Sequence, residues 1–109
     1  MNVADEQRTI QIGENLVLCM LNEIFGPSIH LLVLDLFLEN PLVQMNLREV
    51  ARRVEKNPGS IHRILPRLVE QGLLSQEKVG KVSYVYRLNS QSKLVELIER
   101  FVEELKSSI

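Results

Sequence analysis

The chain has 109 residues, enough for one folded domain and too few for two. Its 45% apolar and 25% charged residues are the balance of a soluble globular protein. The longest apolar runs, Leu16–Leu21 and Ile29–Leu38, stop well short of the roughly 20 residues that span a bilayer, and His30 and Asp35 interrupt the second. The net charge of −1 argues at first against a polyanionic partner.

Residues 1–13 are polar and unpatterned, which predicts a flexible arm. Asp5 and Glu6 stand where a signal peptide would carry basic residues, and the single cysteine, Cys19, rules out an internal disulfide framework. A reducing cytoplasm is the expected location. Residues 14–25 are apolar almost all round, a pattern that a helix tolerates only when buried on most sides. Gly26-Pro27 breaks the chain and puts Pro27 in the first turn of a second helix, which runs to about Glu39 and ends before Pro41.

An extended piece at 43–46 leads into a third helix. Asn46 is its expected N-cap, with Glu49 completing a capping box. Leu47, Val50, Ala51 and Val54 form one apolar stripe, and Arg48, Arg52 and Arg53 lie off it. Lys56-Asn57-Pro58 predicts a tight turn in which Asn57 caps and Pro58 opens the next helix. That helix, 59–71, buries Ile61, Leu65 and Leu68 and ends at Gly72, the expected left-handed stop. Pro66 within it deletes the hydrogen bond to the carbonyl of His62 and predicts a kink.

From Leu73 the period changes to two. Val82, Tyr84, Tyr86 and Leu88 alternate with Ser83, Val85 and Arg87, and Gly80-Lys81 predicts a two-residue type II′ hairpin between Leu74–Val79 and Val82–Leu88. A last helix is expected from Asn89 or Ser90 to 106. Leu94, Ile98, Phe101 and Leu105 are its principal stripe, widened by Val95, Leu97 and Val102.

Charge is unevenly spread along this order. Residues 48–67 hold Arg48, Arg52, Arg53, Lys56, Arg63 and Arg67 against only Glu49 and Glu55, inside a chain that is otherwise acidic. A basic block of this kind is a local electrostatic footprint.

The order helix, short strand, helix, tight turn, helix, hairpin is that of a winged helix-turn-helix. From Pro27 to Leu88 the chain resembles prokaryotic ArsR- and MarR-type regulators. LREVARRVE, KNPGSIHR, RLVEQGLL and the closing YRL of the wing carry the likeness. The resemblance implies an α+β, mostly helical fold in which helix 59–71 enters the major groove and the hairpin reaches backbone or minor groove. It assigns Ser60, His62 and Arg63 to the exposed N-terminal face of that helix. The residue chemistry agrees: Arg63 can donate two parallel bonds to a guanine edge, and Asn57 and Ser60 can donate to phosphate or base. Arg67, Arg52, Arg53, Lys56, Lys78 and Lys81 are candidate phosphate contacts.

Other chemistry is missing. Cys19 and His30 lie in apolar runs, the cysteine-rich helix of metal-sensing ArsR proteins is absent, and no phosphate-cradling loop or nucleophile elbow occurs. Neither a cofactor nor a metal is expected, and an enzyme is disfavoured. The outer helices 14–25 and 90–106 carry more apolar surface than the 27–88 core can cover. They predict dimerisation helices within one domain spanning 14–109, using Leu16, Met20, Leu94, Ile98, Phe101 and Leu105. The expected function is sequence-specific binding of double-stranded DNA by a homodimeric transcription regulator on a pseudo-palindromic operator. A small-molecule effector held between the outer helices is compatible with it. The competing expectation is a winged-helix interaction module without base contacts, which would expose an apolar groove instead.

Overall fold

The structure is a computed structural model and describes residues 20–108. The arm at 1–13, and residues 14–19 of the first expected helix with Leu16 and Cys19, lie outside the described residues. The elements are α1 (Met20–Phe25), α2 (Ile29–Glu39), β1 (Met45–Asn46), α3 (Leu47–Val54), α4 (Pro58–Glu70), β2 (Leu74–Val79), β3 (Ser83–Leu88) and α5 (Lys93–Ser108). They form an α+β, mostly helical winged helix-turn-helix.

Capping residues set most of the boundaries. The Asn46 side chain accepts from the Glu49 N–H at 2.8 Å and opens α3. Asn57 accepts from the Gly59 N–H at 2.7 Å, and Pro58 takes the first position of α4. Gly72, at φ +80°, turns the chain out of α4 in the left-handed region. Between α3 and α4 the left-handed residue is Glu55, at φ 57°, with no glycine or asparagine to mark it.

The core is one cluster shared by all the layers. Val33, Leu34 and Phe37 of α2 meet Val50 and Ala51 of α3, Ile61, Leu65 and Leu68 of α4, Tyr86 and Leu88 of β3, and Val95 and Val102 of α5. Leu65 is wholly buried, so truncating it to Ala should cost about 2–5 kcal/mol. The helical spacing of the α3 and α4 stripes thus predicts their buried faces.

Five boundaries differ from the sequence reading, each for a local reason. Pro27 precedes the helix rather than opening it. Ser28 is the N-cap of α2, its hydroxyl accepting from the Leu31 N–H at 3.2 Å. The capping box at α3 is half made, because the Glu49 carboxylate turns along the helix toward Arg52 and Arg53. β1 adds to the hairpin, giving a three-stranded antiparallel sheet in the order β1-β3-β2 with Met45 opposite Tyr86.

The hairpin loop is three residues, 80–82, because Val79 pairs with Ser83. Val82 therefore leaves the inward row and is 85% exposed. Finally α5 starts at Lys93. Asn89 is taken up at the wing base, where its side-chain amide donates to the Gly72 carbonyl at 3.0 Å, and Ser92 instead accepts from the Val95 N–H at 3.3 Å.

The apolar stripe of α5 divides in two. Val95 and Val102 are buried against the core, Ile98 and Leu105 are half-buried, and Leu94, Leu97 and Phe101 are exposed. On α1, Met20 is only 4% exposed within the single chain, so it has little surface to offer a partner. The exposed apolar residues of α1 are Ile24 and Phe25.

Candidate nucleic-acid interface

Helix α4 carries its candidate DNA-facing side chains away from its buried row. Ile61, Leu65 and Leu68 are buried, while Ser60, Arg63 and Arg67 fall at i, i+3 and i+7 on another row. Ser60 is half-buried, and His62, Arg63 and Arg67 are exposed. Pro66 is also exposed, and α4 continues through it to Glu70. The helix does not end where its hydrogen-bond ladder is broken, since Leu65 and Leu68 on either side remain anchored in the core.

A shallow open groove separates α3 from the N-terminal turn of α4. Leu47, Ala51, Pro58 and Gly59 line it together with the charged or polar side chains of Arg48, Arg52, Glu55, Lys56 and His62. The fold thus brings the expected Arg52, Lys56 and His62 together. Arg48 is the member that sequence reasoning missed. Its place off the apolar stripe and its i,i+4 spacing to Arg52 are the signal the sequence offers.

Asn57 serves as the α4 cap, so its side-chain oxygen is already engaged. Lys78 lies on β2 opposite Tyr84, and Lys81 sits in the 80–82 loop; both are exposed on the hairpin.

Ionic pairing modifies this basic surface. A single carboxylate oxygen of Glu49, Oε2, accepts from Arg52 Nη2 at 2.7 Å and from Arg53 Nε at 2.6 Å. The bonds from Arg52 and then Arg53 hold the Glu49 carboxyl below the usual carboxylate range.

A second charged feature lies away from the basic residues and had no signal beyond an acid inside an apolar run. Asp35 of α2 is 3% exposed and accepts from the backbone N–H of Leu21 at 3.1 Å and of Asn22 at 2.9 Å. It ties α1 to α2. Asn22 continues the link by accepting from the Ser28 N–H at 2.8 Å.

Beside this tether an apolar surface remains. The rings of Phe25 and Phe101 approach to 6.1 Å between centroids, and they are exposed together with Ile24, Leu94 and Leu97. Another shallow cleft, between the end of α2 and α5, is lined by Leu38, Glu39, Pro41, Glu99, Val102, Glu103 and Lys106. Among the described residues no group of three His, Cys, Asp or Glu side chains could hold a metal ion, and no helix is long and apolar enough to cross a membrane.

Comparison with known proteins agrees with this geometry. The IclR helix-turn-helix domain matches residues 29–78, from α2 into the wing. Among solved structures, reduced HlyU from Vibrio cholerae N16961 superposes with a TM-score of 0.55 at 17% identity, covering 94% of this chain and 97% of that one. No curated protein sequence matches. The matched helix-turn-helix segment and the shared architecture together show a winged helix-turn-helix fold, and they leave the subfamily open between the ArsR- and MarR-like types.

Proposed function

We propose that the chain regulates transcription as a homodimer that reads a pseudo-palindromic operator in the cytoplasm. The observation that carries this reading is the pairing of two unlike surfaces on one small fold. One is the basic row and groove of α3 and α4, and the other is the exposed apolar surface of α1 and α5. Exposed apolar side chains of this kind on a DNA-binding protein are what a second copy would cover.

In this reading α4 lies in the major groove. Arg63 donates to a base edge from the pole of the helix farthest from the core, and Ser60 and His62 flank it. Arg67, Arg52, Arg53, Lys56 and the newly placed Arg48 meet phosphates, and Lys78 and Lys81 bring the wing to the backbone. Asn57 acts first through its cap, setting the pitch at which α4 leaves the turn. Two copies related by a two-fold axis would read half-sites about 34 Å apart, one turn of the duplex. The function is binding rather than catalysis. A winged-helix interaction module would use the same apolar surface without base contacts, and it is the reading to be excluded.

Selection of binding sites from random duplex DNA, paired with light scattering on the free protein, tests the proposal. The expected result is an inverted repeat bound by a particle of twice the 12.5 kDa chain mass. A monomer at micromolar concentration would remove the palindromic operator from the account, and the absence of any enriched sequence would favour the interaction module.

A further inference from the structure

Among the described residues, Glu49 is the one acid that pairs with both Arg52 and Arg53 on the basic face. Its backbone N–H donates to Asn46, so its main chain is spent on opening α3, while its side chain reaches one turn onward. There the same carboxylate oxygen takes Arg52 Nη2 and Arg53 Nε. Such i,i+3 and i,i+4 pairs on an exposed helix add little to stability. The donors they occupy are of more consequence. Arg52 lines the groove beside Arg48, Lys56 and His62, and Arg53 is exposed one position away.

We propose that Glu49 is a brake on sequence-independent DNA affinity: its carboxylate competes with backbone phosphates for the Arg52 and Arg53 guanidinium donors. This inference rests on the DNA-binding reading and assigns a further residue to it. A phosphate approaching either arginine must displace Glu49 or share the guanidinium with it, and the carboxylate repels the phosphate in both cases. Phosphates carry no sequence information, so the penalty falls on every duplex alike. Base contacts from α4 are unaffected by it. The brake therefore lowers affinity for random and operator duplexes by the same factor, and the ratio between them is left to the base contacts of α4. The depressed proton affinity of Glu49 keeps this competition in force across the neutral range.

The test is Glu49→Gln in the full chain, titrated by fluorescence anisotropy on a random-sequence duplex over a series of salt concentrations. Glutamine keeps the side-chain length and leaves the Asn46 cap untouched. Random-duplex affinity should rise about two- to fivefold near 0.15 M salt, and the slope of log affinity against log salt should steepen by about one. The melting temperature should stay within a few degrees of the parent. Glu49→Ala should shift the slope the same way, which covers the case in which Gln itself perturbs folding. In an R52A/R53A background, Glu49→Gln should change neither slope nor affinity.

An unmoved slope in a folded Glu49→Gln protein would overturn the brake, as would weaker binding, which would make Glu49 an orienting partner of the arginines. A parent protein that binds no duplex at any salt would remove the DNA reading itself. Parent binding with an unresponsive Glu49 variant removes the brake alone.

Discussion

Helices α4 and α5 are built on the same plan and finished differently. Each buries one apolar row in the common core, Ile61, Leu65 and Leu68 in α4 and Val95 and Val102 in α5. On the face away from the core, α4 shows Ser60, Arg63 and Arg67, whereas α5 shows Leu94, Leu97 and Phe101. The buried rows fix where the helices sit, and the outward rows differ in what they can bind. Guanidinium groups in a row suit a polyanion, because their charge is useful only when it replaces counterions. Exposed Leu and Phe suit a surface that removes them from water, at about 25 cal/mol per Å² of apolar area covered. The same sequence period carries both messages, and only the residues off the buried stripe tell them apart.

The sharpest way to break this comparison is to make the outward row of α5 resemble that of α4 in polarity. Leu97→Glu with Phe101→Glu changes two exposed residues and spares the half-buried Ile98, so the monomer should still fold. Sedimentation should then report single chains, against the dimers expected of the parent. Operator affinity should fall by about 10²-fold or more, because the second half-site contact is no longer intramolecular. Random-duplex affinity per chain should barely move. A variant that remains dimeric would place the interface elsewhere than the Phe25–Phe101 surface.

Asp35 sharpens the comparison from beneath, because it holds α1 where Phe25 can meet Phe101. Burial pushes its carboxyl up from 3.8 to about 6, against the lowering effect of the Asn22 and Leu21 N–H groups, and Glu39 adds to the rise. The folded chain thus binds a proton more tightly than the unfolded one. Stability should increase as pH falls through about 6 and level off near the unfolded value of 3.8. At roughly 1.4 kcal/mol per pH unit, the gain attributable to Asp35 is about 2–3 kcal/mol. Burial raises Glu39 as well, so the measurement that isolates Asp35 is the difference between the parent and Asp35→Asn in urea unfolding from about pH 4 to 7. Parallel curves for the two proteins would show that the carboxylate is ionised at no cost.

On the basic side, Arg63→Ala should cost about 1–3 kcal/mol on the selected operator while leaving random-duplex affinity nearly unchanged. Arg67→Ala, one turn along the same row, should weaken both by similar amounts and reduce the salt slope by about one. Equal losses on both duplexes for Arg63 would move it to the phosphate group and leave α4 without a reading residue at its outward pole.

Much of this arrangement was legible in the residues because it depends on periodicity and on caps. The stripes of α3 and α4, the Asn46 and Asn57 caps and the Gly72 stop need only local chemistry, and the structure has each of them. What escaped the sequence depends on partners far along the chain. Asp35 looked like an interruption in an apolar run because its donors, Leu21 and Asn22, lie 14 and 13 residues away. The pairing of Met45 with Tyr86 joins strands that nothing local connects. Val82 fits the inward alternation by spacing alone, yet the Val79–Ser83 register puts it in the loop. Arg48 was visible as a charge and became part of a groove only once α4 stood beside α3.

Glu55 also escaped the sequence, for a purely local reason, and it gives the smallest test. It closes α3 in the left-handed region at φ 57° and ψ 46°, its N–H bonded back to Ala51 and Arg52 carbonyls. That conformation costs a residue with a Cβ about 1–2 kcal/mol, and glycine adopts it freely. Glycine also gives the unfolded chain more freedom, which returns about 0.4–1 kcal/mol. The net expectation for Glu55→Gly is a gain of roughly 0.5–1 kcal/mol, seen as a melting temperature several degrees higher. The side chain is exposed and lines the α3–α4 groove, so the same change removes an acid from the basic face. Random-duplex affinity should therefore rise together with stability. A lower melting temperature would mean that the Glu55 side chain stabilises the turn by more than its backbone strain costs. Higher stability with unchanged DNA affinity would place Glu55 outside the phosphate field and confine the acidic restraint on this face to Glu49.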